Sequence, residues 1–318
     1  MLLEKALGRY GDSLRGLLPD QPDRSLCADE AVLPLIREID RYMLRRYPDD
    51  PLLLERMGES YHMERRLWEA AAYYRRAIRC LPPAEPDETQ RAAILRHAPL
   101  LHLTRDECFP LRDVIALHHP QKPLIAYHLF WEDDYDFPDD CDPCDHEQVW
   151  VGYEPEGGAV TAVWAFYHSR IISTRAAADD ANRRGGRPNV SVQWGKHGSL
   201  LPGCGPVRLQ TGTVREDMEW TWRDVCRGGR AAEHPIKRRF WPARYEGSRE
   251  DFFCFPIEVD SRELLEKKRC WLCTPLSNAV IGEYFLTYNF AAKFGWPWDA
   301  PVYGDGPGIL QNREDMHT

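Results

Sequence analysis

The sequence predicts an α+β protein: N-terminal helices followed by a mostly antiparallel β-sandwich with one late helix. Three observations lead there. The first third has almost no strand signal and twice ends a helical pattern in proline, at Pro48 and Pro82. After about residue 105 the chain becomes a series of short aromatic and β-branched runs separated by Gly, Pro and Asp clusters, the pattern of sandwich strands. At 318 residues, with 43% hydrophobic and 29% charged side chains, it has material for two globular domains. The expected division is a helical domain over 1–105 and a sandwich domain over 106–318.

In the helical part, AVLPLIREIDRYMLRRYPDD reads as one helix closed by Pro48. LLERMGESYHMERRLWEAAAYYRRAIRCLPP reads as two antiparallel helices. Gly58 and Ala70 are small enough for close approach, Tyr61 and Tyr74 fill the seam, and Pro82 ends the second helix. This stretch resembles the tetratricopeptide repeat. The resemblance covers about residues 35–83, with Pro48 and Pro82 separated by that repeat's period of about 34 residues; it implies a surface that binds a protein partner, and a helical hairpin that only packs on the next domain is the alternative. PPAEPDETQ breaks the pattern, and ETQRAAILRHAPLLHL reads as one more helix.

In the second part PLIAYHLFW, EQVWVGYEP, AVTAVWAFYH, NVSVQW, GPVRLQTGTV, DFFCFPIEV and EYFLTYNF read as strands. TRAAADDANRR reads as a helix within a loop, and SRELLEKKRCWL as the late helix. FGWPWDAPVYGDGPG, with Trp296, Trp298 and Tyr303, reads as an aromatic loop over the sandwich.

Bulk charge excludes some functions. A formal net charge of −9 argues against nucleic acid or an anionic membrane as the partner. No run approaches the roughly 20 apolar residues of a membrane span. The first residues show no secretory signal, so the expected compartment is the cytoplasm, where ten cysteines are read as reduced thiols or metal ligands. The motifs G-x-S-x-G, GxxxxGK[ST] and GxGxxG are absent.

The chemistry concentrates between residues 128 and 199. If EQVWVGY is a strand, Asp145, Glu147, Val149 and Val151 share one face, while His146, Gln148 and Trp150 share the other. Two carboxylates so close repel unless a cation or a shared proton compensates. The acidic approach WEDDYDFPDDCD adds to that demand, and a hard divalent cation is the simplest answer. His128 lies inside a strand, His168 ends one, and His197 sits in a glycine-flanked loop after another. Carboxylates and histidines at strand ends are the donors of a mixed O/N metal site. Asp145, Glu147, His128 and His146 are therefore the candidate ligands, with His168 and His197 as ligands or acid–base groups.

The cysteine pairs Cys141/Cys144 and Cys270/Cys273 each have the spacing of a zinc knuckle. A four-thiolate structural zinc, two unrelated sets of thiols, and a redox pair all remain open. Arg183, Arg184 and Arg187 border the candidate site and would suit an anionic substrate. Lys237, Arg238 and Arg239 read as solvated charge.

An aromatic strand with an acidic loop, Asp-x-Glu opening the next strand, a strand ending in His, and then RPNVSVQWGKHGSLLPG follow one another in order. Over about residues 124–205 this resembles the necrosis-inducing cytolysin superfamily and its vacuolar-sorting-type relatives. The resemblance implies a β-sandwich holding a divalent cation, with Asp145 and Glu147 at the family's Asp and Glu and His168 and His197 at its later histidines. Cys144 stands where the family has His, and His146 where it has Trp.

The leading expectation is a metal-dependent enzyme, a hydrolase or lyase, acting on a small molecule. Mg, Ca or Mn would sit on the carboxylates as Lewis acid, and zinc on the thiolates. The second is a non-catalytic interaction module whose metal is structural. An enzyme site should be open and a structural one closed.

Overall fold

The structure is a computed structural model and describes residues 28–136, 144–229, 242–285 and 293–307. In chain order its helices are α1 (Ala28–Arg46), α2 (Pro51–Met63), α3 (Leu67–Cys80), α4 (Glu88–Arg96), α5 (Arg175–Arg183), α6 (Val214–Cys226), α7 (Arg249–Phe252), α8 (Ser261–Lys268) and α9 (Ser277–Val280). A π-helical turn, Ile281–Phe285, follows α9. The strands are β1 (Leu100–Leu103), β2 (Leu111–His118), β3 (Leu124–Trp131), β4 (Asp145–Tyr153), β5 (Val160–Tyr167), β6 (Arg170–Ser173), β7 (Asn189–Val192), β8 (Ser199–Leu200), β9 (Arg208–Leu209), β10 (Gly212–Thr213), β11 (Ile257–Asp260), β12 (Trp271–Cys273) and β13 (Val302–Tyr303). Helices followed by sheets with a later helix make the chain α+β, as its sequence predicts.

The chain forms two units by contact, Met1–Glu85 with Cys273–Pro301, and Pro86–Leu272 with Val302–Thr318. The expected division at residue 105 falls inside the second unit, because α4 and β1 pack into the core beneath the sheets.

In the first unit α2 begins where the sequence commands it. Asp50 caps the free N–H groups of Leu52 and Leu53, and Pro51 occupies the first turn, where its missing N–H costs nothing. The α2–α3 seam is close because Gly58 has no side chain; a Cβ there would collide with the Tyr74 ring. Ala70 and Tyr74 are fully buried in the same seam. The chain returns to this unit through α9, where the buried Glu55 carboxylate accepts from Ala279 N at 3.0 Å.

In the second unit a seven-stranded sheet, β12-β2-β3-β4-β5-β6-β13, faces a four-stranded sheet, β11-β1-β7-β8. The core between them takes Val149, Val151, Val163 and Ala165 from one sheet and Leu101, Val190, Val192 and Leu200 from the other. Most recorded pairings are antiparallel, but β1–β7 and β6–β13 are parallel. Arg187 clamps one edge, donating to both carboxylate oxygens of Asp260, the N-cap of α8, and to the Ala98 carbonyl.

Several elements differ from expectation for identifiable reasons. The helix expected through LLHL stops at Arg96, three residues before Pro99, which shuts the α region to Ala98, and β1 follows. Strand β2 was not foreseen: Val114 to Leu117 is a continuous buried apolar run without alternation, which periodicity alone cannot assign. Helix α6 starts within the run expected as strand, because Thr213 and Glu216 form a capping box there. DFFCFPIEV is one turn of helix and then β11, because Ser248 caps that turn. Of EYFLTYNF, Glu283 to Phe285 is helical and the rest lies outside the described residues.

Two predictions follow from this packing. Gly58→Ala lowers the unfolding free energy by about 1–3 kcal/mol through overpacking against Tyr74, despite the roughly 1 kcal/mol helix preference of Ala over Gly; urea denaturation measures it. His119, in the β2–β3 turn, is buried beside Lys122 and His118, and its pKa is lowered to about 3. Its Nδ1 accepts from Gln121 N at 3.2 Å, so the folded ring is neutral there. Below about pH 6.5 the unfolded chain takes up a proton that the folded chain refuses. Stability present above that pH is therefore lost in acid, by about 1.4 kcal/mol per pH unit from this group. His119→Gln should flatten that part of the stability-against-pH curve.

Candidate functional site

Strand β4 is the middle strand of the large sheet, and all nine of its residues are buried. Its alternation is as the sequence predicts. Asp145, Glu147 and Val149 pair across to Trp131, Leu129 and Tyr127 of β3, on the face that builds the core. His146 and Gln148 pair to Phe130 and His128 on the opposite face. The expected ligand set is thereby divided. His128 and His146 share a proton at 2.9 Å, Nδ1 to Nε2, and His146 stacks on Phe130 at 4.5 Å. Burial lowers the pKa of His128 to about 3, so it is neutral. The sheet separates this pair from Asp145 and Glu147.

On the core face the loop WGKHG, residues 194–198, closes over the start of β4. Each residue has its own anchor. Trp194 Nε1 donates to the Asp106 carbonyl at 2.7 Å. Gly195, at φ 66°, donates its N–H to Glu107 Oε2 at 2.9 Å. Lys196 Nζ pairs with Asp136 at 2.8 Å and Asp224 at 3.5 Å. His197, itself left-handed at φ 47°, is wholly buried. Its ring lies flat on Trp131, 4.2 Å away at an interplanar angle of 2°. Nδ1 donates to Asp145 Oδ2 at 2.7 Å, and Nε2 faces Glu107 Oε1 at 3.4 Å.

Both carboxylates are held independently. Asp145 Oδ1 accepts from His146 N, and Glu107 accepts from Phe109 N and Gly195 N. Burial opposes a charge on His197, but Glu107 and Asp145 outweigh it, and its pKa is pushed up to about 10. Asp133, next to this group, is pushed up to about 6, first by burial and then by Asp145 and Glu132.

His168 stands on the other side of the same loop. Its Nε2 donates to Gln193 Oε1 at 2.5 Å, and Asp217 Oδ2 lies 3.9 Å away. Tyr167 donates to that carboxylate at 2.7 Å. A Cβ on Gly198 would sit 3.0 Å from Gln193 Oε1 and 3.1 Å from His168 Nε2, so the glycine permits this approach. The His168 side chain is 28% exposed. Burial lowers its pKa against the pull of Asp217, so it is a neutral base at pH 7.

The structure thus brings together Asp145 and His197, and places His168 beside them through the loop. Glu107 completes the group and was missed. Nothing in DECFP marks it, because its partners come from a strand and a loop far along the chain.

The described residues do not fit a resident divalent ion. A histidine ligates through an unprotonated nitrogen; Nδ1 of His197 is taken by Asp145, and Nε2 faces Glu107 Oε1 at 3.4 Å without a hydrogen bond. The remaining ring pair, His128 and His146, is on the wrong face. Among the described residues no group of three or more His, Cys, Asp or Glu is arranged to hold a metal. Asp139, Asp140 and Asp142 lie outside the described residues.

The cysteine clip also fails to assemble. Cys141 lies outside the described residues. Cys144 immediately precedes β4 and Cys270 immediately precedes β12, with β2 and β3 between those strands. Three strand spacings are about 14 Å, far beyond the reach of two thiolates about 2.3 Å from one zinc. The arginines are likewise engaged: Arg183 and Arg184 pair with Asp180, and Arg187 with Asp260. Lys237, Arg238 and Arg239 lie outside the described residues.

Comparison with known proteins gives a limited result. No family model matches the chain, and neither does any curated protein. Solved structures that match over 38% of the chain include NLPPya in complex with glucosamine, at 17% identity over 70% of that chain with a TM-score of 0.29. A triple mutant of NLPPya matches at 18% identity over 71% of that chain with a TM-score of 0.30, and NLPPya in complex with mannosamine at 16% over 70% with 0.29.

His197→Asn, which tolerates the left-handed backbone, removes the cation between two buried carboxylates and costs about 3–5 kcal/mol of stability. Urea unfolding followed by Trp fluorescence measures it, and a loss below about 1 kcal/mol would place the group among weak surface pairs.

Proposed function

We propose that this chain is a non-catalytic interaction protein, in which the helical unit presents the binding surface and the sandwich is a rigid scaffold. The observation that carries this is that the charged group at the start of β4 is closed. His197 is 0% exposed and Glu147 4%, so a substrate would have to part the two sheets to reach them. A closed polar site fixes structure, whereas a catalytic one keeps an open position. The helical unit supplies large exposed apolar groups, with Trp68 87% exposed and Leu52 and Tyr47 more than 40%. Aromatic side chains of this kind anchor protein–protein contacts. The tetratricopeptide resemblance of residues 54–82 agrees with that role.

A second reading has one specific observation in its favour. Gln193 fixes the proton of His168 on Nε2, which leaves Nδ1 as a lone-pair base on a ring that reaches solvent. Such a group could take a proton from a small molecule in a hydrolase or lyase reaction.

Affinity capture separates the two. The triple variant Trp68→Ser, Leu52→Ser, Tyr47→Ser should keep its circular dichroism and lose the bound partner, whereas His168→Gln should retain it. A partner that survives the triple variant and is lost with His168→Gln overturns the interaction reading.

A further inference from the structure

We propose that the cavity between α3 and the π-helical turn binds a carboxylate set beside an apolar side chain, so that the partner docks through an acidic residue of an extended segment. This rests on the interaction reading and names the chemistry of what is bound. The outer stripe of α3 is where it begins. Trp68, Ala72, Arg75 and Arg79 stand at i, i+4, i+7 and i+11, the spacing of one helix face, and all four are exposed. Ala70, Tyr74 and Ala77, on the other side of the helix, are buried. At its C-terminal end the stripe borders a cavity of about 450 Å³ lined by Arg75, Ile78, Arg79, Glu283 and Tyr284. Ile78 is buried there, and Tyr284 offers a half-exposed ring.

The charges of the cavity do not balance. Arg75 Nε donates to Glu283 Oε1 at 2.7 Å, so those two cancel. Arg76, off the stripe, donates to the Pro48 carbonyl. Among the described residues nothing pairs with the Arg79 guanidinium. The cavity therefore carries one positive charge in excess, in a chain whose formal net charge is −9. One carboxylate restores balance, whereas a phosphate, with a charge of about −1.5 to −2, would leave excess negative charge beside Glu283. The guanidinium fork receives a carboxylate through two parallel N–H donors. An exposed ion pair alone is worth little, so the apolar contact with Ile78 and Tyr284 is what the cavity adds.

Trp68 sets the length of the bound segment. It precedes Arg79 by 11 residues of α3, which is about 16 Å along the helix axis. An extended chain covers that in about five residues, at roughly 3.3 Å each. An apolar side chain on Trp68 and an acidic one on Arg79 therefore lie about five residues apart in one bound strand.

The test uses the full chain, fluorescently labelled, on a synthetic array of end-capped octapeptides in which one Leu, one Glu and one Phe are moved through a Ser/Thr background. Binding should peak where Glu adjoins Phe and Leu lies about five residues from Glu. Replacing the peptide's Glu by Gln should weaken binding about tenfold. Arg79→Gln, at an exposed position, should keep its circular dichroism and bind the Glu and Gln peptides equally. Glu283→Gln releases Arg75 and should strengthen the Glu peptides, a gain that a merely structural ion pair would not give. Equal binding of Glu and Gln peptides by the wild-type chain overturns the proposal, as does a Glu preference that survives Arg79→Gln. A preference for phosphothreonine over Glu, or an array with no bound peptide, overturns it too. If the triple variant at Trp68, Leu52 and Tyr47 loses its partner while Glu and Gln peptides bind alike, this proposal fails alone. If that variant keeps its partner, the interaction reading fails, and the Arg79 readout still reports on the cavity.

Discussion

Burying two carboxylates where the central strand of a sheet begins is a cost that this fold must meet, and one ring meets it. The His197–Asp145–Glu107 group lies on the core face of β3 and β4, with Trp131 as its floor. A charge in such a place survives only when paired and hydrogen-bonded. Here each carboxylate also accepts backbone N–H groups, and these fix the turn after residue 106 and the loop after β7. The group thereby joins three segments that are distant in sequence. The close approach of Gly198 to His168 and Gln193 is set by the same loop.

The two faces of β4 show how environment divides one residue type. His197 is pushed up to about 10 because acids surround it, while His128, equally buried, is lowered to about 3 because burial acts there without an acid to oppose it. His168, partly exposed and pulled both ways, lies below its ordinary value. Three histidines that look alike in the sequence thus meet three different surroundings. The cause in each case is which atoms the fold places against the ring.

The helical unit rests on steric matching rather than on charge. Gly58 and Ala70 allow α2 and α3 to approach, and the rings of Tyr61 and Tyr74 fill the interval. This leaves Trp68, Leu52 and Tyr47 with no place in the seam, and they remain exposed.

Much of what one stretch of chain decides is legible in the sequence, though the Thr213–Glu216 capping box and the Ser248 cap show that not every local signal was taken. The α2–α3 hairpin, the strands β3, β4 and β5, and the alternation that puts Asp145 and Glu147 on one face are all legible in the sequence, because periodicity is a property of neighbours. The need for a counter-charge beside Asp145 was legible too. What filled that need was not. Glu107 and His197 meet Asp145 only when the sheets close, and a strand's alternation says which face a histidine takes but not what waits on that face. The cysteine pairs make the same point from the other side. Their spacing within each pair is a local fact, but whether the pairs meet depends on strand order, and β2 and β3 lie between. The sequence determined the elements and the charge they would bury; tertiary structure alone decided the partner, since that choice depends on distances between segments the chain keeps far apart.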